Sequence, residues 1–300
     1  SAVVPLAGCA SDSGSPSSDE DTSGTNQTEL LESAQEELES ALNTFESELD
    51  DVDEIDSRIS FQDNTIQAHL DQAESHLDDA KAGDVEEEEW IEAMRGTISF
   101  FRSFVNAFGS FADGLDKFQT GATYLQNERY NDAESAFVEA NDLINQSSDE
   151  FVVTRDNFDE IDFSEFSGSS KIDRIEIETA LEEFSALNTD LEYLTRTYRD
   201  LARGLDEFLP AAESFDNEQY DDAEDKFQIA RDHFSSAAST VKEGEKSATD
   251  DLIDDFIGLT CYTEALKDAA DNYASASGAA SNSDWNTAES HAEDADAALE

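Results

Sequence analysis

Side chains able to carry chemistry are few in this chain. It has four histidines, His69, His76, His233 and His291, as imidazole metal ligands and two cysteines, Cys9 and Cys261, for thiol chemistry. Metal-binding helical bundles place Glu-x-x-His pairs on facing helices, and zinc sites use closely spaced cysteines and histidines. Neither pattern occurs, nor does a glycine-rich phosphate loop or a nucleophile elbow. Carboxylates are plentiful, as at Glu86 to Glu89 and at Asp250, Asp251, Asp254 and Asp255. The second set has pairs at i and i+4 that could hold a hard cation, but in so acidic a chain it reads as a solvated face coated by counterions. The expectation is therefore a protein without catalytic residues, cofactor or bound metal, attended by non-specific cations.

The setting of these residues is set by charge. Seventeen Lys and Arg against 74 Asp and Glu give a net charge of −57, and the acids run through the periodic segments instead of forming a tail. Self-repulsion on this scale opposes compaction unless salt near 1 M shortens the Debye length to roughly 3 Å. Nucleic acid is excluded as a partner because its phosphates would be repelled. The composition resembles that of proteins from extreme halophiles, implying a source such as a halophilic archaeon.

Residues 1–9 read SAVVPLAGC, a short apolar run ending in Leu6-Ala7-Gly8-Cys9. This resembles the lipobox of prokaryotic lipoproteins. The resemblance implies that residues 1–8 are the remnant of a signal peptide and that Cys9 carries the lipid. It further implies that the protein is held on the extracellular face of the cell membrane. No initiator Met or charged region precedes the run, so the chain is read as starting inside its signal peptide. Residues 11–25 are all Ser, Asp, Gly, Pro, Glu or Thr, and residues 9–28 are expected to form a solvated tether with a coil reach of roughly 25 Å. Asn26 and Asn145 begin glycosylation acceptor patterns. With Cys9 lipidated, Cys261 lacks a partner, and the apolar stretch Leu259 to Tyr262 predicts a buried thiol.

From residue 29 to 300 the apolar residues recur at helical spacing, with no β-branched alternation, which predicts an all-α fold of about seven or eight helices in long antiparallel hairpins. The segment from Glu86 to Asn127 is apolar on two faces and needs neighbours on both sides. Its Phe100, Phe104 and Phe111 read either as core or as an interaction face for a partner or a second copy. Phe158 to Ser170 reads as a loop, Ser169 or Ser170 as the cap of the next helix, and Pro210 as a kink or break in it. Two halves, 29–165 and 171–300, are the expected subdivision.

A shift of 90 residues aligns Phe108–Ala140 with Tyr198–Ala230, with 14 of 33 positions identical, which marks an internal duplication. A further shift of 65 places Trp285 and Ala288 on Tyr220 and Ala223, and a weaker copy starts at Leu70, 60 residues before Tyr130. His76 and His291 share an Ala-Glu-Ser-His context, but Ala136 and Lys226 stand at the equivalent places in the middle copies, which argues against a shared role. Gly121, Tyr124, Tyr130, Ala133, Phe137 and Ala140 resemble the tetratricopeptide (TPR) consensus. The resemblance implies stacked helical hairpins and a preference for binding other proteins. Those residues, with Tyr220, Ala223, Phe227, Ala230, Trp285 and Ala288, are expected to pack helix on helix.

The last helix, from Trp285, is short and uncapped, which reads as a trimmed chain. The functional expectation is a non-catalytic, lipid-anchored scaffold for an unknown protein partner in high salt. A self-associating envelope component and an accessory solute-binding lipoprotein of a transporter are the alternatives.

Overall fold

The computed structural model describes residues 22–50, 61, 63–81, 88–166 and 174–299. Among them are eight α-helices, one short 3-10 turn and no strand, so the chain is all-α. The helices are α1 (Thr22–Asp50), α2 (Asp63–Lys81), α3 (Glu88–Gln126), α4 (Tyr130–Asp159), α5 (Arg174–Asp216), α6 (Tyr220–Glu245), α7 (Ile253–Ser281) and α8 (Trp285–Leu299). Phe163–Phe166 form the 3-10 turn. Among the described residues, no helix is long and apolar enough to cross a membrane.

Among the described residues two compact units emerge, one drawn from 22–109 with 149–183, the other from 110–148 with 184–299. They differ from the expected halves because α3, α4 and α5 each contribute to both. In the first unit, α1 buries Leu31, Ala34, Leu38, Ala41 and Phe45, and α2 buries Ile66, Leu70, Ala73, Leu77 and Ala80. Both stripes follow the three-and-four spacing that puts residues on one helical face. Phe45 meets Phe61, Phe101, Phe104 and Phe108 with ring centroids 5.3–5.8 Å apart, all edge-on. At the rim, Arg102 donates to Asp71 and Glu74, and His69 pairs with Glu37 at 2.7 Å.

The second unit is built on small residues facing rings. Leu201, Phe208 and Ala211 of α5, Ala223, Phe227, Ala230, Phe234 and Ala237 of α6, and Leu266, Ala270 and Ala274 of α7 form one core cluster. Alanine at a crossing lets helix axes approach, and the phenyl rings fill the space alongside. Gly121 goes further: a Cβ there would lie 2.7 Å from the Phe137 ring. Phe137 in turn packs against Phe118 and Tyr198.

Several expectations are corrected here. Pro210 lies inside α5 without ending it, on the exposed side, where its missing N–H leaves only the Asp206 carbonyl without its helical donor. Cys261 is exposed, not buried. The buried stripe of α7 runs Phe256, Thr260, Thr263 and Leu266, so Cys261 sits about 100° off it. The helix α1 starts at Thr22, so residues 22–28 belong to it and not to a solvated tether. The stretch read as a loop from Phe158 divides into the end of α4, Glu160–Asp162, the 3-10 turn and residues outside the description. Residues 1–21, including Cys9, and the proposed caps Ser169 and Ser170 lie outside the described residues.

Candidate functional site

Three hairpin joints in the second unit share one chemistry. α3 passes to α4 through Asn127, Glu128 and Arg129; α5 to α6 through Asn217, Glu218 and Gln219; α7 to α8 through Asn282, Ser283 and Asp284. The middle residue of each is left-handed, with φ of 59° at Glu128, 63° at Glu218 and 63° at Ser283. In each joint the N–H of this residue bonds three residues back, and the next N–H bonds five back. The pairs are Glu128 to Leu125 and Arg129 to Tyr124, Glu218 to Phe215 and Gln219 to Ser214, Ser283 to Ala280 and Asp284 to Ala279. This double closure satisfies the carbonyls that a helix end leaves open. The asparagine amide adds a third bond, from Asn127 to Thr123, Asn217 to Glu213 and Asn282 to Gly278. An aromatic, Tyr130, Tyr220 or Trp285, then opens the following helix.

The joints lie at the 90- and 65-residue shifts of the internal repeat. The copy at Leu70 differs: Leu70, Ala73, Leu77 and Ala80 are buried, but they lie inside α2, which begins at Asp63, so this copy keeps the stripe without the turn.

The second and third joints enclose an open cleft of about 520 Å³ lined by Glu218, Tyr220, Asp221, Asp222, Ser281 and Trp285 among others. Tyr220 stands edge-on to Trp285, ring centroids 5.8 Å apart, and Phe215 backs Tyr220 at 5.5 Å. Trp285 remains 57% exposed. Asp221 accepts the Ser281 hydroxyl. Asp222 accepts from Lys226 at 2.7 Å and from the Ser214 hydroxyl at 2.6 Å, and these bonds hold its carboxyl below the usual carboxylate range. Aromatic edges, one exposed indole and three carboxylates make a surface suited to a weakly hydrated cation.

The other candidates are placed apart. Ala133, Phe137, Ala140, Ala223, Phe227 and Ala230 are fully buried, and Ala288 nearly so. Tyr124 is half-buried under the Arg129 guanidinium, which lies 4.2 Å from its ring centroid. Phe100 and Phe111 are buried and Phe104 is half-buried. Phe100 meets Phe158 at 5.5 Å and Phe111 meets Phe184 at 5.3 Å, so these rings face the interior. Asn26 lies within α1 and Asn145 within α4, where Asn145 is exposed but Ser147 of its acceptor pattern is fully buried. The histidines stay dispersed over α2, α6 and α8, and among the described residues no group of three His, Cys, Asp or Glu could hold a metal. Asp250, Asp251, Asp254 and Asp255 are all exposed.

Some buried polar residues had no sequence signature. Asp190 is fully buried on α5, and its Oδ2 accepts the backbone N–H and the hydroxyl of Thr249 at 3.0 and 2.8 Å. Asp200, also on α5, accepts from Arg199 and, across to α6, from the Ser236 hydroxyl at 2.7 Å. These acids tie α5 to α6 and to the α6–α7 connection. No protein-family model, curated protein or solved structure matches the chain.

Proposed function

We propose that the chain is a non-catalytic, lipid-anchored protein on the extracellular face of a cell living at high salt, where its helical hairpins serve as a scaffold for another protein. The observation that supports this reading best is the joint repeated at Glu128, Glu218 and Ser283. Stacked hairpins with one common turn geometry present regularly placed side chains, and such arrays are suited to recognition by an extended partner. The motif alanines and phenylalanines are used up in helix contacts, whereas Trp285, expected to pack helix on helix, is largely exposed, so recognition falls to the turn ends and the acidic outer faces. Leu6-Ala7-Gly8-Cys9 supports the anchor.

Cross-linking at the native cell surface in molar salt tests the scaffold. A second protein recovered with the chain is the expected result; recovery of the chain bound only to itself would replace the scaffold by a self-assembling envelope component. Detergent partitioning of the full precursor tests the anchor. Cys9→Ser is expected to move the protein to the aqueous phase, and unchanged partitioning would sink the anchor.

A further inference from the structure

The geometry points to an arginine side chain, presented by the protein partner, as the occupant of the cleft between Tyr220 and Trp285. This inference rests on the scaffold reading above and gives it a site.

The first joint already contains such an arrangement. There the Arg129 guanidinium lies over Tyr124 at 4.2 Å and pairs with Asp132 through Nη2 at 2.7 Å. Ninety residues on, the counterpart of Arg129 is Gln219, and 65 further it is Asp284. The ring that Arg129 covers, Tyr124, gives way to Ser214 and Ala279, but the second and third joints bring rings of their own, Tyr220 and Trp285, beside Glu218 and Asp221, and no arginine lines the cleft among the described residues. Among the described residues, Lys226 engages Asp222 and Ser214. The Glu218 carboxylate has no partner among the described residues, and Asp221 uses one oxygen for Ser281. Both carboxylates line the cleft beside Trp285.

The indole is held by Tyr220 yet remains largely exposed, so a planar cation can stack on it with little reordering. Guanidinium suits this surface better than an alkali cation or an ammonium. It is planar and weakly hydrated, and its N–H fork reaches a carboxylate while its face rests on a ring. At molar salt, long-range attraction is screened within roughly 3 Å, which leaves such direct contacts as the source of selectivity.

The chain has two tryptophans, Trp90 and Trp285, so Trp90→Phe makes the emission report on the cleft. The full protein would be titrated with tri-arginine amide in molar KCl. A saturable change in Trp285 emission is expected, weakened about tenfold by Glu218→Gln with Asp221→Asn and about fivefold when tri-lysine amide replaces tri-arginine. These two exposed carboxylates can be neutralised without disturbing the core, which unchanged circular dichroism would document. No saturable change, or equal affinity of the double variant, overturns the proposal. Cross-linking separates it from the scaffold reading. A partner captured equally well by Trp285→Ala protein overturns the cleft and leaves the scaffold standing. Failure of the native protein to capture any partner overturns the scaffold.

Discussion

Gly204 lies against the ring of Phe234, and ninety residues earlier Gly114 lies against Ile144 in the same relation. A Cβ at Gly114 would come within 2.7 Å of Ile144, and one at Gly204 would overlap the Phe234 ring. Each pair brings the helix before a joint onto the helix after it. The duplication therefore preserves a helix crossing, with a phenyl ring in the second copy where the first has an isoleucine.

Glycine at these crossings opposes helix propensity, and the contact has to outweigh that. Gly204→Ala gains up to about 1 kcal/mol from propensity but forces a fully buried ring aside, which costs about 1–3 kcal/mol. Net destabilisation is expected. Gly258 on α7 has open space around it, so Gly258→Ala should stabilise by about 0.5–1 kcal/mol. Urea unfolding at fixed molar KCl measures both, and a stabilised Gly204→Ala would show that the crossing is loose.

The joints store backbone strain that glycine would relieve. Glu128 is exposed at φ 59°, a conformation that costs an L-residue roughly 1–2 kcal/mol. Glu128→Gly should raise stability by about 0.5–1 kcal/mol after the larger entropy loss of glycine is counted. Thermal unfolding checks this, and a lowered midpoint would mean that the glutamate side chain contributes more than the strain removes.

Alkali should unfold the second unit through its tyrosines. Burial, followed by the hydrogen bond to Asp296, pushes Tyr273 up to about 12, and burial also raises Tyr130, Tyr198 and Tyr262. The phenol is the form that the fold favours. Its contribution is thus fully present below the unfolded value of about 10 and is lost as pH rises through about 12. Unfolding free energy is expected to be level in this respect up to about pH 9 and to decline beyond pH 10, with a shallower decline in Tyr273→Phe. An identical decline in the variant would remove Tyr273 from the explanation.

Salt should control folding as a whole. With a net charge of −57, helical circular dichroism is expected to rise steeply between dilute buffer and molar KCl as self-repulsion is screened. A full helical signal in dilute buffer would show that paired contacts such as Arg102 with Asp71 and Glu74 suffice without screening.

Much of the fold was legible because its signals are local. Periodic apolar residues mark every described helix, and the 90- and 65-residue shifts bring Tyr130, Tyr220 and Trp285, the residues that follow the joints, into register. Asn127, Asn217 and Asn282 carry the same spacing and would have fixed the third joint from sequence alone. What was missed depends on partners far along the chain. Asp190 and Asp200 carry no local mark of burial, because they are held by Thr249 and Ser236, 59 and 36 residues away. Cys261 misled because α7 buries threonines in its stripe: Thr260 bonds Glu245 and Thr263 bonds the Thr260 carbonyl, which makes their burial tolerable. The cleft was hidden for the same reason, since Trp285 and Tyr220 meet only once α7 has returned beside α6.

The joints also bear on how this chain can change over time. Helices of 30 and 43 residues separate the first joint from the second, while helices of 26 and 29 separate the second from the third. All three turns nonetheless close with the same bonds, because each bond is made within a few residues of the turn. A hairpin can therefore gain or lose helical turns at its far end while its joint is inherited unchanged. Length is the freely varied dimension of this architecture and the joint its copied part, so a lineage could tune reach without having to reinvent the fold.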